Sequence, residues 1–277
     1  VADEPVVPPT QKAIFGYGST GSVSSLTNLV NSSGVIAADV SGVGTARQAP
    51  AAASYGLDKA IFAYGTTGSV TNLSNLVNNS GVVASDVTGV GTARFNIAAA
   101  GYGLDKAIFG YGTTGSNVSL TNLVSNSGVV ATDTTGVGTA RQALAAVGYG
   151  STGQAIFGYG TTGSVSSLTN LVSNSGVVAS DVTGVGTARQ SVGACSYGTD
   201  KAIFGYGYAG GNVSMTNLVN SSGVVASDVS GVGTARQNPG AAGYGGDKGI
   251  FAYGYTSGVV SMSNLVNTSG VVASDVS

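Results

Sequence analysis

Apolar residues along this chain come in short runs broken by clusters of Gly, Ser, Asn and Thr, and no apolar stripe at helical spacing persists for about ten residues. Such a pattern predicts short strands joined by tight turns. The stretch from Ala51 onward reads as four of them: Ala51–Tyr55, Ala60–Tyr64, Asn75–Val77 and Val82–Val87. Between and after them lie Gly56-Leu57-Asp58, Gly65–Ser69, Asn78–Gly81 and Thr88–Gly91, whose Gly and Asn suit the positive φ angles of tight hairpins. Side-chain alternation in the second strand sets Ala60, Phe62 and Tyr64 on one face and Ile61, Ala63 and Gly65 on the other. The first strand is nearly all Ala and Ser apart from its Tyr, as crowding at a central axis would require.

The same arrangement returns along the whole chain. Lys12-Ala-Ile-Phe-Gly-Tyr-Gly18 recurs at Lys59, Lys106, Gln154, Lys201 and Lys248, at spacings of 47, 47, 48, 47 and 47 residues. Thr-Asn-Leu-Val at Thr27 recurs at Thr121, Thr169 and Thr216, and as Ser-Asn-Leu-Val at Ser74 and Ser263. An aspartate follows in every copy (Asp39, Asp86, Asp133, Asp181, Asp228, Asp275), and Gly-Thr-Ala-Arg then ends at Arg47, Arg94, Arg141, Arg189 and Arg236. A repeat of this length carrying four antiparallel strands predicts an all-β fold: one domain over residues 1–277, a six-bladed β-propeller with four strands per blade. A β-solenoid is the competing repeat architecture, but its coils are usually shorter and lack four hairpin turns. Residues 1–11 are expected to complete the first blade, with Pro5–Pro9 on the edge nearest the axis, where proline is tolerated.

Composition narrows the function classes. Gly contributes 46 residues, yet 42% of the chain is hydrophobic and in register, which separates it from a disordered Gly-rich segment. A net charge of −2 argues against a nucleic-acid partner, which needs a basic face. No apolar run approaches the roughly eighteen residues of a membrane helix, so no membrane insertion is expected. The chain starts at Val1 without a charged-then-apolar leader, so any signal peptide is expected to have been removed. A single cysteine, Cys195, excludes an intramolecular disulfide framework.

At the level of one repeat, the residues resemble a divergent kelch-type blade. Arginine precedes the first strand, small residues fill it, and an apolar second strand ends in glycines, here Gly16-Tyr17-Gly18 and its equivalents. The family's tryptophan is missing throughout, and its paired glycines are split by a tyrosine. The Gly-Thr-Ala-Arg and Thr-Asn-Leu-Val wording is also similar to repeats of predicted phage and environmental viral proteins. The resemblance implies a propeller that binds a protein or glycan partner, extracellular or on a virion. The copper site of galactose-oxidase-like members needs histidines, of which there are none. Sialidase-like propellers need a glutamate, and the only one is Glu4.

Catalytic chemistry is poorly supplied. Without histidine there is no imidazole base or imidazole metal ligand. Gly16-Tyr-Gly-Ser-Thr-Gly21 matches a dinucleotide fingerprint, but a strand follows it instead of the required helix, so it reads as a hairpin turn. Cys195 occupies a first-strand position held by Ala53, Ala100, Val147 and Ala242 elsewhere and reads as a small packing residue. No enzyme activity and no required cofactor are expected.

Three sets of residues remain as candidates. The aspartates Asp39, Asp86, Asp133, Asp181, Asp228 and Asp275 could form a ring holding a divalent cation, Ca²⁺ or Mg²⁺. They could instead serve Arg47, Arg94, Arg141, Arg189 and Arg236, each of which is expected to hydrogen-bond one of these aspartates or nearby loop carbonyls and so tie neighbouring blades, the structural role favoured here. Departures from the repeat consensus supply the third set. Tyr208 and Tyr255 replace a threonine or serine after the second strand, and Phe95 replaces a glutamine after the arginine. All three are expected on one face of a monomer, where exposed aromatics would bind a protein or, in a lectin-like role, a sugar.

Overall fold

The computed structural model describes residues 12–277, and the expected Pro5–Pro9 edge lies outside them. The described residues contain strands and no helix, so no helix is long and apolar enough to cross a membrane. β1 (Ala13–Ser19) and β2 (Val23–Val30) pair antiparallel in the first unit. The second unit is a three-stranded antiparallel sheet of β3 (Ala51–Tyr55), β4 (Lys59–Ala63) and β5 (Ser74–Val77), with β4 in the centre. Units three to six repeat this order. Each sheet is confined to one repeat, whereas a solenoid would run its sheets from one repeat to the next.

Two expectations are met in part. The fourth strand, Val82–Val87, contributes only two antiparallel bridges to β5, Val77 to Val83 and Ser74 to Val87. Between them the Asn75 amide takes the Ala84 carbonyl, and Asp86 turns to the preceding linker, so a side chain stands where a ladder bond would run. The predicted alternation also ends one residue early. Tyr64 leaves the strand at φ 64°, a left-handed conformation that moves its ring to the face opposite Phe62. Tyr111, Tyr159, Tyr206 and Tyr253 do the same, and Tyr17 adopts the same conformation at a register shift within β1, all at φ between 62° and 66°.

That flip builds the contacts between units. Ile61, Ala63 and Tyr64 pack against Ala107 and Phe109 of unit three, while Phe62 packs against Ile14 and Tyr17 of unit one. Each flipped tyrosine meets the next unit's phenylalanine edge-on, as Tyr64 meets Phe109 at 5.4 Å between ring centres. The phenylalanine tip needs a small residue opposite it: a Cβ on Gly110 would lie 2.7 Å from Phe157. The series continues through the last repeat to the first. Phe15 and Val30 form one cluster with Tyr244, Ile250 and Ala252, and Phe15 meets Tyr253 at 5.5 Å.

The first strands of successive units lie side by side, and backbone bonds join the linkers ahead of them. Ala143 N donates to Asn96 O (3.0 Å), Ser191 N to Ala143 O (2.7 Å) and Asn238 N to Ser191 O (2.8 Å). Tight packing there explains one departure from the repeat. The position of Ala60, Ala107, Ala155 and Ala202 is Gly249 in the sixth unit, and a Cβ there would lie 2.4 Å from the Cys195 sulfur of unit five. The Cys195 sulfur thus occupies the space that a side chain at Gly249 would need. Gly249→Ala should cost about 1–3 kcal/mol, the usual range for overpacking. The double variant Cys195→Ala, Gly249→Ala should recover most of that in urea unfolding, whereas simple additivity would refute the coupling.

Candidate functional site

The most elaborate polar constellation in each repeat is built around its arginine. Arg141 is fully buried. Its Nε donates to Tyr159 O (2.9 Å), Nη1 to Thr139 O (3.2 Å) and Nη2 to Asn170 Oδ1 (2.7 Å). Its guanidinium lies 4.5 Å from the centre of the Tyr111 ring in the preceding unit. Arg47, Arg94, Arg189 and Arg236 repeat these bonds with Tyr64, Tyr111, Tyr206 and Tyr253 and with Asn75, Asn122, Asn217 and Asn264. Burial raises the Tyr64, Tyr111 and Tyr206 hydroxyls to about 12 even though the stacked arginine pulls them down.

The aspartates stand behind this contact and make no direct hydrogen bond to arginine. Asp181 accepts from Thr139 N and Oγ1 of the preceding linker (3.0 and 2.6 Å) and from the Asn170 amide (2.9 Å), with Arg141 Nη1 at 3.8 Å. Asp86, Asp133, Asp228 and Asp275 are held in the same way. Burial raises the pKa of these five carboxyls, but the threonine and asparagine bonds and the arginine charge outweigh it and leave each lowered. Asp39 in the first unit receives the Asn28 amide at 2.8 Å. The aspartates thus sit one to a unit, and no group of three or more His, Cys, Asp or Glu suited to a metal ion occurs among the described residues.

Local sequence makes this docking possible. Gly138, at φ +77°, lies over the next unit's Asp181 and Asn170, and a Cβ there would come within 2.4 Å of the carboxylate. Only glycine combines that φ with so close an approach, which brings Thr139 N within reach of the carboxylate. The asparagine of Thr-Asn-Leu-Val is the functional residue that charge pairing overlooks, although its presence in all six copies is legible.

The aromatic departures fall at one register. Tyr208 bridges Gln190 and Asn212, Tyr255 bridges Gln237 and Val259, and Phe95 bridges Thr113, the residue equivalent to those tyrosines in unit three. Tyr208 and Phe95 are half-buried, and Tyr255 is 43% exposed. Units five and six are adjacent, and Asn212 Nδ2 reaches across to Tyr255 O (3.2 Å) and Thr256 O (3.0 Å). Phe95 belongs to unit three and stands apart from this pair.

The remaining chemistry-bearing groups are engaged locally. Cys195 is buried, which pushes its thiol far above the ordinary range and disfavours the thiolate. Lys59, Lys106, Lys201 and Lys248 each pair with the preceding aspartate in an exposed turn, at 2.6–2.8 Å. Gly16–Gly21 spans the end of β1 and its turn into β2, with no helix beyond to receive a pyrophosphate. No protein-family model matches the chain, and no curated protein matches it.

Proposed function

We propose that the six units are the blades of a β-propeller and that the protein is a non-catalytic binding or attachment module. The outer segment of each unit, bridged twice to the third strand, would serve as the fourth strand of a blade. Contacts between the last and first units support this reading, because a cycle of packed blades needs them. No catalytic group and no cation has a role in it: Asp86, Asp133, Asp181, Asp228 and Asp275 are engaged by threonine and asparagine with arginine nearby, and Asp39 by asparagine.

The observation that carries the binding role is the Tyr208–Tyr255 pair: two aromatics at one register of adjacent units, on accessible loops of an otherwise uniform ring. A flat apolar ring with a polar tip suits a protein surface or the face of a sugar. The neighbouring Asn212 favours the lectin-like alternative by adding a polar rim beside the rings. A glycan array tests that alternative first. For a ligand so identified, the double variant Tyr208→Ser, Tyr255→Ser should weaken binding at least about thirtyfold, the effect of truncating a single aromatic anchor of about 2 kcal/mol. Its melting temperature should stay near that of the parent. Full binding by the double variant would remove the site.

A further inference from the structure

The arginine contact is used five times, yet its acceptor groups occur six times. Five Gly-Thr-Ala-Arg segments are present in the sequence, and all five dock onto units two to six. The corresponding groups at the junction of units six and one are already arranged. Asn28 Nδ2 donates to Ala37 O (3.1 Å) and to Asp39 Oδ1 (2.8 Å), as Asn75 Nδ2 donates to Ala84 O (3.0 Å) and Asp86 Oδ1 (2.9 Å). This leaves Asn28 Oδ1 as the acceptor, the role Asn75 Oδ1 plays toward Arg47 at 2.7 Å. Tyr17 has the left-handed φ of 64° that, at Tyr64, aims the carbonyl at Arg47 Nε.

The other wall is equally complete. Tyr253 meets Phe15 edge-on as Tyr206 meets Phe251, and Arg236 lies 4.0 Å over the Tyr206 ring. The Asp39 charge adds to burial in raising the Tyr253 hydroxyl, which places the carboxylate within electrostatic reach of the ring. Gly18, Gly65, Gly112, Gly160 and Gly207 each donate their N–H to the carbonyl of a docked arginine, at 2.9–3.0 Å, and Gly254 stands at the sixth equivalent position. Burial differs accordingly. Asn75, Asn122, Asn170, Asn217 and Asn264 are fully buried, whereas Asn28 and Tyr253 are half-buried and Asp39 is exposed.

We infer that this junction is a binding site for an extended peptide segment of Gly-Thr-x-Arg type. The arginine would enter between the Tyr253 ring and Asn28 Oδ1, and the threonine would bind Asp39 through its N–H and hydroxyl. Recognition is by the planar guanidinium fork, so lysine is a poor substitute. Such a segment can come from the same polypeptide continuing past Ser277 or from a separate polypeptide, and the chemistry is the same in both cases. The site is separate from the tyrosine pair, and its test is independent of that reading.

The test is isothermal titration of the 277-residue protein with the peptide Gly-Val-Gly-Thr-Ala-Arg-Gln, and with its Arg-to-Ala and Arg-to-Lys versions. The arginine peptide should bind and raise the melting temperature. The alanine version should bind about thirtyfold more weakly or not at all, the lower bound for truncating a buried hydrogen-bonded charge. The lysine version should also be weaker. Because the change is made in the peptide, no loss of fold can mimic this result. Asp39→Asn should weaken the arginine peptide with little change in melting of the free protein. A protein extended by Gly-Val-Gly-Thr-Ala-Arg after Ser277 separates the sources. Higher stability with loss of peptide binding shows that a segment continuing past Ser277 can fill the site from within the chain, and retained peptide binding shows that the site is reached only by a separate polypeptide. Failure of the arginine peptide to bind, or equal binding of the alanine version, overturns the inference.

Discussion

Arg141→Ala should destabilise the protein by about 3–5 kcal/mol, the cost of removing one partner from a buried ionic network. The side chain is fully buried and joins two units. Truncation leaves the Tyr159 carbonyl and Asn170 Oδ1 without their donor, uncovers the Tyr111 ring and opens a cavity between sheets. Arg141→Lys should recover little, because an ammonium cannot reproduce a planar fork that bonds two carbonyls and an amide oxygen while stacking on a ring. Urea unfolding checks both variants. A loss below about 1 kcal/mol, typical of an exposed ion pair, would contradict this account of the contact.

The second large effect is expected in acid. Asp86, Asp133, Asp181, Asp228 and Asp275 have folded pKa values below their ordinary value, since bonds from threonine and asparagine and the nearby arginine outweigh burial. A carboxyl lowered on folding contributes stability that is fully present above its unfolded pKa of about 3.9 and disappears as pH falls through the folded pKa. Protonation also removes an acceptor from Thr139 N and Oγ1 and their equivalents, loosening every docked linker. Stability should therefore be flat from neutral pH down to about 5 and then fall steeply below about 4. The slope should correspond to uptake of several protons on unfolding, up to one for each of these five aspartates. A stability curve that stays flat to pH 2 would show that the carboxylates do not hold the linkers.

Much of this fold is legible in the sequence because a repeat reports each position six times. Strand β3 at Ala51–Tyr55 and the positions of the turns follow directly from it. So does the shared position of Tyr208 and Tyr255, which needs only alignment of the copies, whereas Phe95 reaches that register through its bridge to Thr113. What escapes is what alternation and charge cannot express. The left-handed turn at Tyr64 breaks strand periodicity, and only the glycine that follows it, Gly65, hints at it. Val82–Val87 has the composition of a strand, but the Asn75 side chain interrupts its ladder. From sequence, each arginine is expected to meet a strand-four aspartate or nearby loop carbonyls, and nothing in the repeat chooses between them. In the structure the guanidinium fork selects the Tyr159 and Thr139 carbonyls and Asn170, and the aspartate is held by threonine.

The central claim is that the six units close on themselves, with Phe15 of the first packed against Tyr253 of the last. Small-angle X-ray scattering in solution tests it most directly, because a linear array of the same six units is much longer than a closed one. The closed arrangement predicts a radius of gyration near 19 Å, the value for a compact chain of this length, with the scattering profile of a globular particle. A clearly larger radius with the profile of an elongated rod would contradict it.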